Sequence, residues 1–434
     1  MAAQDAHYWT SQYGTRSELL GGLVVGTFRD LSATYYNPGA IALVNDPSLL
    51  LGSDAFGIVD INFSGLLGEG LDVASSRLRP APSMVALQLP IKGLGRHRLA
   101  LSVLTRHDFS FKGQARRIVD RDQLESGEAD AAFAGEALLE LGLSENWAGV
   151  SWAYRLGPRV GLGATTYLAL RSQNIRTQVI AQTVDSIGEG SAAVAVDEIN
   201  YSNVRLLWKV GIGVDLSPLT LGLTITTPGI SFFGTGEVLE NVSVINIDPD
   251  GGGEPVSELE SDFQDGLDTN YKSPLSVAAG ASYYFGETGL FLTAEWFDSV
   301  DEFSVMDAQE YVGQTTGDTI SIDVTHKWDS VLNWGVGVEQ GLGKAVHLYG
   351  AFFTDKSAMI EGEQAATALA TWDIYHFTTG VALDLQAVDF SLGLSWGWGD
   401  DTLRQIVDLT GEELTERNVT YRSLKLIFGL SIGL

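Results

Sequence analysis

The last strand-length stretch of the chain sets the terms for the rest. Leu424, Leu426, Phe428, Leu430, Ile432 and Leu434 share one parity, and Ser423, Lys425, Ile427, Gly429, Ser431 and Gly433 share the other. A period of two is the signature of a β-strand with one apolar face. The pattern recurs. Val388, Phe390, Leu392, Leu394, Trp396 and Trp398 oppose Asp389, Ser391, Gly393, Ser395, Gly397 and Gly399. Val204, Leu206, Trp208, Val210, Ile212 and Val214 oppose Arg205, Lys209, Gly211, Gly213 and Asp215. Phe377, Thr379, Val381, Leu383 and Leu385 oppose His376, Thr378, Gly380, Asp384 and Gln386. A soluble sandwich would turn the apolar face inward and show polar residues outside. Here the second face is rich in Gly and Ser with isolated charges, while Trp and Tyr gather near strand ends. That is the pattern of a barrel with lipid outside and a polar lumen within.

The strands read near 56–64, 83–90, 97–112, 141–157, 159–184, 194–216, 218–236, 270–286, 288–303, 319–342, 344–360, 372–386, 387–400 and 418–434. Fourteen is an even number, as a closed bacterial barrel requires. The links alternate in length: short ones at 92–95, 157–158, 217–218, 286–289, 341–343 and 386–387, long ones at 65–82, 113–140, 185–193, 237–269, 304–318, 361–371 and 401–417. Short turns on one side and long loops on the other fit a periplasmic and an extracellular face. The fold class expected is therefore all-β, a transmembrane antiparallel barrel of about fourteen strands.

Composition removes several function classes. The formal charge of -29 repels nucleic acid. No Cys is present, so disulfides and thiolate metal sites are excluded. No apolar run is long enough for a spanning helix. Met1-Ala2-Ala3-Gln4 has neither the basic start nor the apolar core of a signal peptide. The expectation is a mature exported chain with an added start, residing in the outer membrane of a Gram-negative-type bacterium among lipid and lipopolysaccharide.

Residues 1–50 depart from the alternation. Leu20 to Phe28 is small and apolar around Gly21, Gly22 and Gly26, and Tyr35-Tyr36-Asn37-Pro38-Gly39-Ala40 follows. Pro38 and the residue before it are conformationally restricted. The expectation is a compact plug over 1–50 and a barrel wall over 51–434. This Tyr-Tyr-Asn-Pro-Gly-Ala run resembles the aromatic-Asn-Pro-small-Ala plug motif of the FadL/TodX family of outer-membrane transporters for long-chain fatty acids and other hydrophobic compounds. Tyr271-Lys272-Ser273-Pro274-Leu275-Ser276 is similar to that family's Tyr-x-Ser/Thr-Pro start of a strand. The chain ends in Leu434 rather than the Phe common in outer-membrane barrels. The resemblance implies a 14-stranded barrel closed by an N-terminal hatch, with Tyr35, Tyr36, Asn37, Pro38 and Gly39 as hatch motif. It also implies a hydrophobic ligand that lands on the outer loops, enters an apolar pocket and leaves sideways through a kinked strand.

Candidate ligand contacts are Leu23, Val24, Val25 and Phe28 on the plug, with Arg205 or Lys209 as anchor for a fatty-acid carboxylate. The inward charges as a set, Arg155, Arg205, Lys209, Asp215, Glu295, Glu339, Asp384, Asp389 and Lys425, are for the most part expected to pair with one another or with Arg16, Glu18, Arg29 and Asp30, the anchor being the alternative for Arg205 or Lys209. The third strand keeps parity from Leu99 to Phe111, so no kink is read there. Pro228-Gly229 is the wall-opening candidate, because apolar residues sit on odd positions up to Ile225 and on even ones at Ile230 and Phe232. Gln123 to Leu143 reads as a short amphipathic helix. Asn246-Ile247-Asp248-Pro249-Asp250-Gly251 has calcium-loop spacing, but Asn begins it and Ser257 stands where Glu should end it, so a plain turn is preferred. No cofactor or metal is expected. His107 and His376 lack an active-site motif around them, so no enzyme is expected. The alternative function is a non-transporting barrel that docks a protein partner, through its acidic loops, in secretion or surface attachment.

Overall fold

The computed structural model describes residues 6–44, 49–68, 71–91, 93–119, 132–248, 254–360, 371–385, 388–405 and 414–432. Alternation becomes strands almost everywhere it was read. The wall starts with β1 (Leu49–Phe63), β2 (Val73–Gln88), β3 (His97–Val119), β4 (Ala132–Arg155), β5 (Val160–Val184) and β6 (Gly190–Leu216). It continues with β7 (Leu219–Thr226), β8 (Ile230–Ile247), β9 (Val256–Asp268), β10 (Ser276–Phe285) and β11 (Thr288–Phe297). Four short strands follow outside the wall: β12 (Val300–Asp307), β13 (Tyr311–Val312), β14 (Thr319–Ile320) and β15 (Asp323–Trp328). The wall resumes with β16 (Val331–Leu342), β17 (Val346–Asp355), β18 (Ile374–Asp384), β19 (Val388–Arg404) and β20 (Glu416–Ile432). Each wall strand pairs antiparallel with its neighbours, and β1 against β20 closes the ring. Taking β8 as the outer continuation of β7, and β9 as an addition beside it, leaves fourteen staves.

The outward face is greasy. Val103, Val150, Leu292, Val336, Leu394 and Trp396 are all exposed. A soluble chain rarely shows so continuous an apolar surface, whereas hydrocarbon lipid satisfies it. Trp152, Tyr283, Trp296 and Trp334 join this outer surface, but Trp147, Trp328 and Trp372 are buried.

Several boundaries differ from expectation. Residues 132–143 belong to β4 rather than to an amphipathic helix, and 123–131 lie outside the described residues. Their apolar positions alternate as well as they repeat helically, and the ladder to β3 and β5 decides. Residues 113–119, 132–140, 237–247 and 256–268, read as outer links, are strand too, because β3 to β6, β8 and β9 run on beyond the ring as a projecting sheet. The link between β5 and β6 is a tight turn at 185–189. Calcium spacing at 246–251 is partly undescribed. The amide of Asn246 is bonded to the Gly190 carbonyl and to Ser191.

The third strand carries the main correction. A bulge between Thr105 and His107 inserts one residue against β4. Arg106 and His107 consequently both face inward, and Phe109 and Phe111 follow them inside, whereas Val103 faces out. One extra residue inverts every later side chain. The parity count missed this because Thr and His suit either face.

Residues 6–44 lie against the inner side of the wall, with α1 (Arg16–Leu19), α2 (Ala33–Tyr36) and a 3-10 turn (Pro38–Ala42). Their bonds reach strands all round the ring. Arg16 pairs with Asp389, Arg29 with Glu339, and Lys425 donates to the Thr10 carbonyl. Arg155 donates to the Ala42 carbonyl, and Asp355 accepts from the Trp9 amide and the Thr10 hydroxyl. Asp30 is held by Ser17 and Ser32 instead of a wall cation. The inward glycines of the wall now have a physical role. A Cβ on Gly161 or Gly163 would strike the backbone at Pro38 and Gly39, and one on Gly222 the Val25 carbonyl. The backbone of the segment approaches the wall more closely than any side chain would permit.

Candidate functional site

Between the inner segment and the wall lies a cavity of about 50 Å³. β3, β4 and β6 supply Arg106 and His107, Glu145 and Trp147, and Arg205, Leu207 and Lys209. Thr226, Ser273, Pro274 and Ser276 come from the end of β7 and the approach to β10, Glu295 from β11, and Tyr8 and Tyr35 from the inner segment. An engineered cavity of roughly 150 Å³ accepts benzene. This one has room for a polar head group, and a ring or acyl chain needs the segment or the wall to move.

Its charges are unevenly matched. Glu145 takes a bond from Arg171 at 3.1 Å, from Arg205 at 2.7 Å and from the Trp147 indole at 2.6 Å. Glu295 accepts from the Trp9 indole at 2.8 Å and from Ser276 at 2.6 Å. Both carboxylates are therefore occupied. Among the described residues, Lys209 and Arg106 have no ion-pair partner. Lys209 sits over the Tyr35 ring at 4.1 Å, and Arg106 over Trp147 at 5.8 Å with Nη1 unbonded. Both are buried. Lys209 and Arg106 thus border a head-group-sized space together with the Glu295 carboxylate, whose bonds come from neutral donors.

On the outer side of the cavity, along β1 and β3 to β5, the lumen carries an apolar cluster where a barrel lumen is ordinarily polar. Phe63, Phe109, Phe111, Leu139, Leu141 and Ile175 pack there in one cluster. The bulge in β3 puts two of those rings inside. Among the described residues, the β2–β3 ladder stops beside the bulge. The β2–β3 ladder runs from Met84 with Leu104 to Gln88 with Ala100, and β3 continues to Val119. Pro80 and Pro82 have no N–H to donate, which suits β2 to an edge over that stretch. That proline pair was the sequence signal for a gap here.

Of the residues picked from sequence, Arg205, Lys209 and Tyr35 line the cavity. Arg205 is committed to Glu145, so the free-cation role falls to Lys209 with Arg106, which sequence reasoning left out. Leu23, Val24, Val25 and Phe28 are not among the cavity's lining residues; Leu23 packs on Gly335 and Gly337, Val25 on Gly222 and Gly280, and Phe28 on Gly213. Asn37 binds the segment together and to the wall. Its amide donates to the carbonyls of Val25 at 2.8 Å and Ile212 at 2.9 Å, and its oxygen accepts from Gly39. Pro38 and Gly39 rest against β5 and β6, and the Tyr36 hydroxyl accepts from the Tyr13 amide. His107 lines the cavity, while His376 is buried and stacked on Phe353. Pro228-Gly229 stands at an interruption between β7 and β8, with the Gly229 amide bonded to the Ser273 hydroxyl.

The whole chain superposes on solved barrels. A FadL homologue of Pseudomonas aeruginosa matches with TM-score 0.64 and 13% identity, over 99% of this chain and 100% of that one. The fold is the FadL-type barrel. The Pseudomonas putida toluene transporter TodX matches with TM-score 0.60 and 13% identity, over 98% of this chain and 99% of that one. The Ralstonia pickettii toluene transporter TbuX gives 0.55 and 12%, over 98% and 99%. No protein-family model matches the sequence, and no curated protein matches it.

Proposed function

We propose that the chain is an outer-membrane channel of the FadL/TodX kind that takes up hydrophobic monocarboxylic acids. The supporting observation is the apolar cluster of the outer lumen on the outer side of two cations that have no ion-pair partner. An apolar body follows the Phe63–Phe109–Phe111 cluster inward, and its carboxylate meets Lys209 and Arg106. Residues 6–44 act as the hatch that must shift to admit the rest of the molecule. Release sideways into the bilayer, through the β2–β3 gap, avoids drawing the apolar part through water at about 0.8 kcal/mol per exposed CH₂. The small cavity favours one other reading, a permanently filled barrel that docks a protein through its acidic loops. A ligand that binds the purified barrel with the dependence described next excludes that reading.

Lys209→Met is expected to weaken decanoate binding by roughly ten- to hundredfold, since a hydrogen bond to a charged group contributes about 1.5–3 kcal/mol. Decanol binding should change less than threefold. Calorimetric titration of both ligands into detergent-purified barrel checks this. Equal losses for acid and alcohol would refute the anchor.

A further inference from the structure

The cavity borders a second weak place in the wall, far from the β2–β3 gap. Up to Thr226 with Ser276, β7 and β10 form an ordinary ladder, and from Thr235 with Asp268 outward β8 and β9 do the same. Between those pairs, bonds to serine hydroxyls take the ladder's place. Ser231 Oγ donates to the Tyr271 carbonyl and accepts from the Tyr271 amide, each at 3.0 Å, and the Gly229 amide donates to Ser273 Oγ at 2.9 Å. Pro228 has no N–H to leave unsatisfied when the seam parts, which matters in lipid, where each orphaned backbone group is costly. On the lumen side, Ser273 and Pro274 line the cavity itself. On the outer side, Ile230, Phe232 and Phe233 are exposed on the surface. The segment is tied at its ends by the Asn270 amide to the Val305 carbonyl and by the Leu275 carbonyl to the Asp298 amide, and Tyr271 packs edge-on against Phe303 and His326. The Tyr271 ring lies between the guanidinium groups of Arg171 at 4.0 Å and Arg205 at 4.4 Å, the same two arginines that hold Glu145.

We propose that the seam between β8 and residues 271–275 is a second lateral door from the cavity into the bilayer, latched by Tyr271 between Arg171 and Arg205. Its cargo is the hydrophobic monocarboxylate of the reading above, and in that respect it rests on that reading. An anion drawn to Lys209 arrives beside Arg205 and competes for the cation that clamps the latch. Loosening the clamp lets the serine-stitched segment swing outward while β6 keeps its ladder to both β7 and β8.

Two measurements test it. A single thiol, S273C, in this otherwise cysteine-free chain is offered N-pyrenylmaleimide dissolved in phospholipid vesicles holding the barrel. Adding Y271A should speed labelling at least tenfold, and Y271F, which keeps the ring, less than twofold. Equal rates in all three overturn the latch. In the pair G229C/S273C, a Cβ at 229 would stand 3.1 Å from the Ser273 oxygen, a spacing a disulfide can bridge. Oxidising that pair should lower uptake of radiolabelled decanoate at least twofold in a host lacking its own fatty-acid channel, with recovery in dithiothreitol. Unchanged uptake in a barrel that transports decanoate overturns the door as a route. A wild-type barrel that takes up no decanoate overturns the proposed function instead, and the labelling rates still decide whether the door exists.

Discussion

Glu145→Ala is expected to destabilise the barrel by about 3–5 kcal/mol, the range for breaking a buried ion pair from one side. Glu145, Arg171 and Arg205 are all almost fully buried, and the carboxylate is the shared counter-charge of both guanidinium groups. Removing it strands two cations among Tyr271, Trp147 and the inner segment. Arg422→Ala is the contrast. Its pair with Asp400 spans 2.8 Å, with both side chains about half exposed, so its loss should cost between about 0 and 1 kcal/mol. Urea unfolding in micelles, followed by heat-modifiable gel migration, measures both. Equal midpoints for the two variants would mean that the cluster is hydrated and contributes little.

The same cluster shows what the sequence conceals. Arg205 was legible as inward from the parity of β6, and so was Lys209, because both lie opposite Leu206, Trp208 and Val210. Nothing in β6 says that Glu145, sixty positions earlier, neutralises one and leaves the other free. That depends on the register of β4 with β5 and of β5 with β6. Arg106 was concealed by a different mechanism. A bulge adds one residue without any compositional mark, and Thr105-Arg106-His107-Asp108 reads equally well with either parity. The strand number was readable because fourteen repeats average out such slips. The short turns 157–158 and 217–218 were readable because Gly and Pro specify turns locally. The outer ends of the strands were not: acidic, polar runs such as 237–247 and 256–268 look like loops, yet pair as β8 and β9.

The inward glycines were visible as one small, polar face, though not as a socket, and they lead to the second large effect. Gly39→Val is expected to unseat the inner segment without dissolving the barrel. A Cβ at that position would fall 2.5 Å from the Gly211 carbonyl oxygen of β6 and 2.7 Å from that of Gly161 in β5. Both obstacles are backbone in a continuous ladder and cannot turn aside as a side chain would. The segment is the softer partner, since the ring β1 to β20 closes through strand pairs alone. Its displacement removes the Asn37 bonds to Val25 and Ile212 as well. In planar bilayers the variant should therefore conduct at least tenfold more current than the parent barrel, and residues 6–44 should become sensitive to protease. Gly157→Ala, where an added Cβ meets nothing within 4 Å, should do neither. A Gly39→Val barrel that stays closed and protease-resistant would show that the segment tolerates a shift against the wall, and the hatch would then have to be anchored by its ion pairs at Arg16 and Arg29 instead.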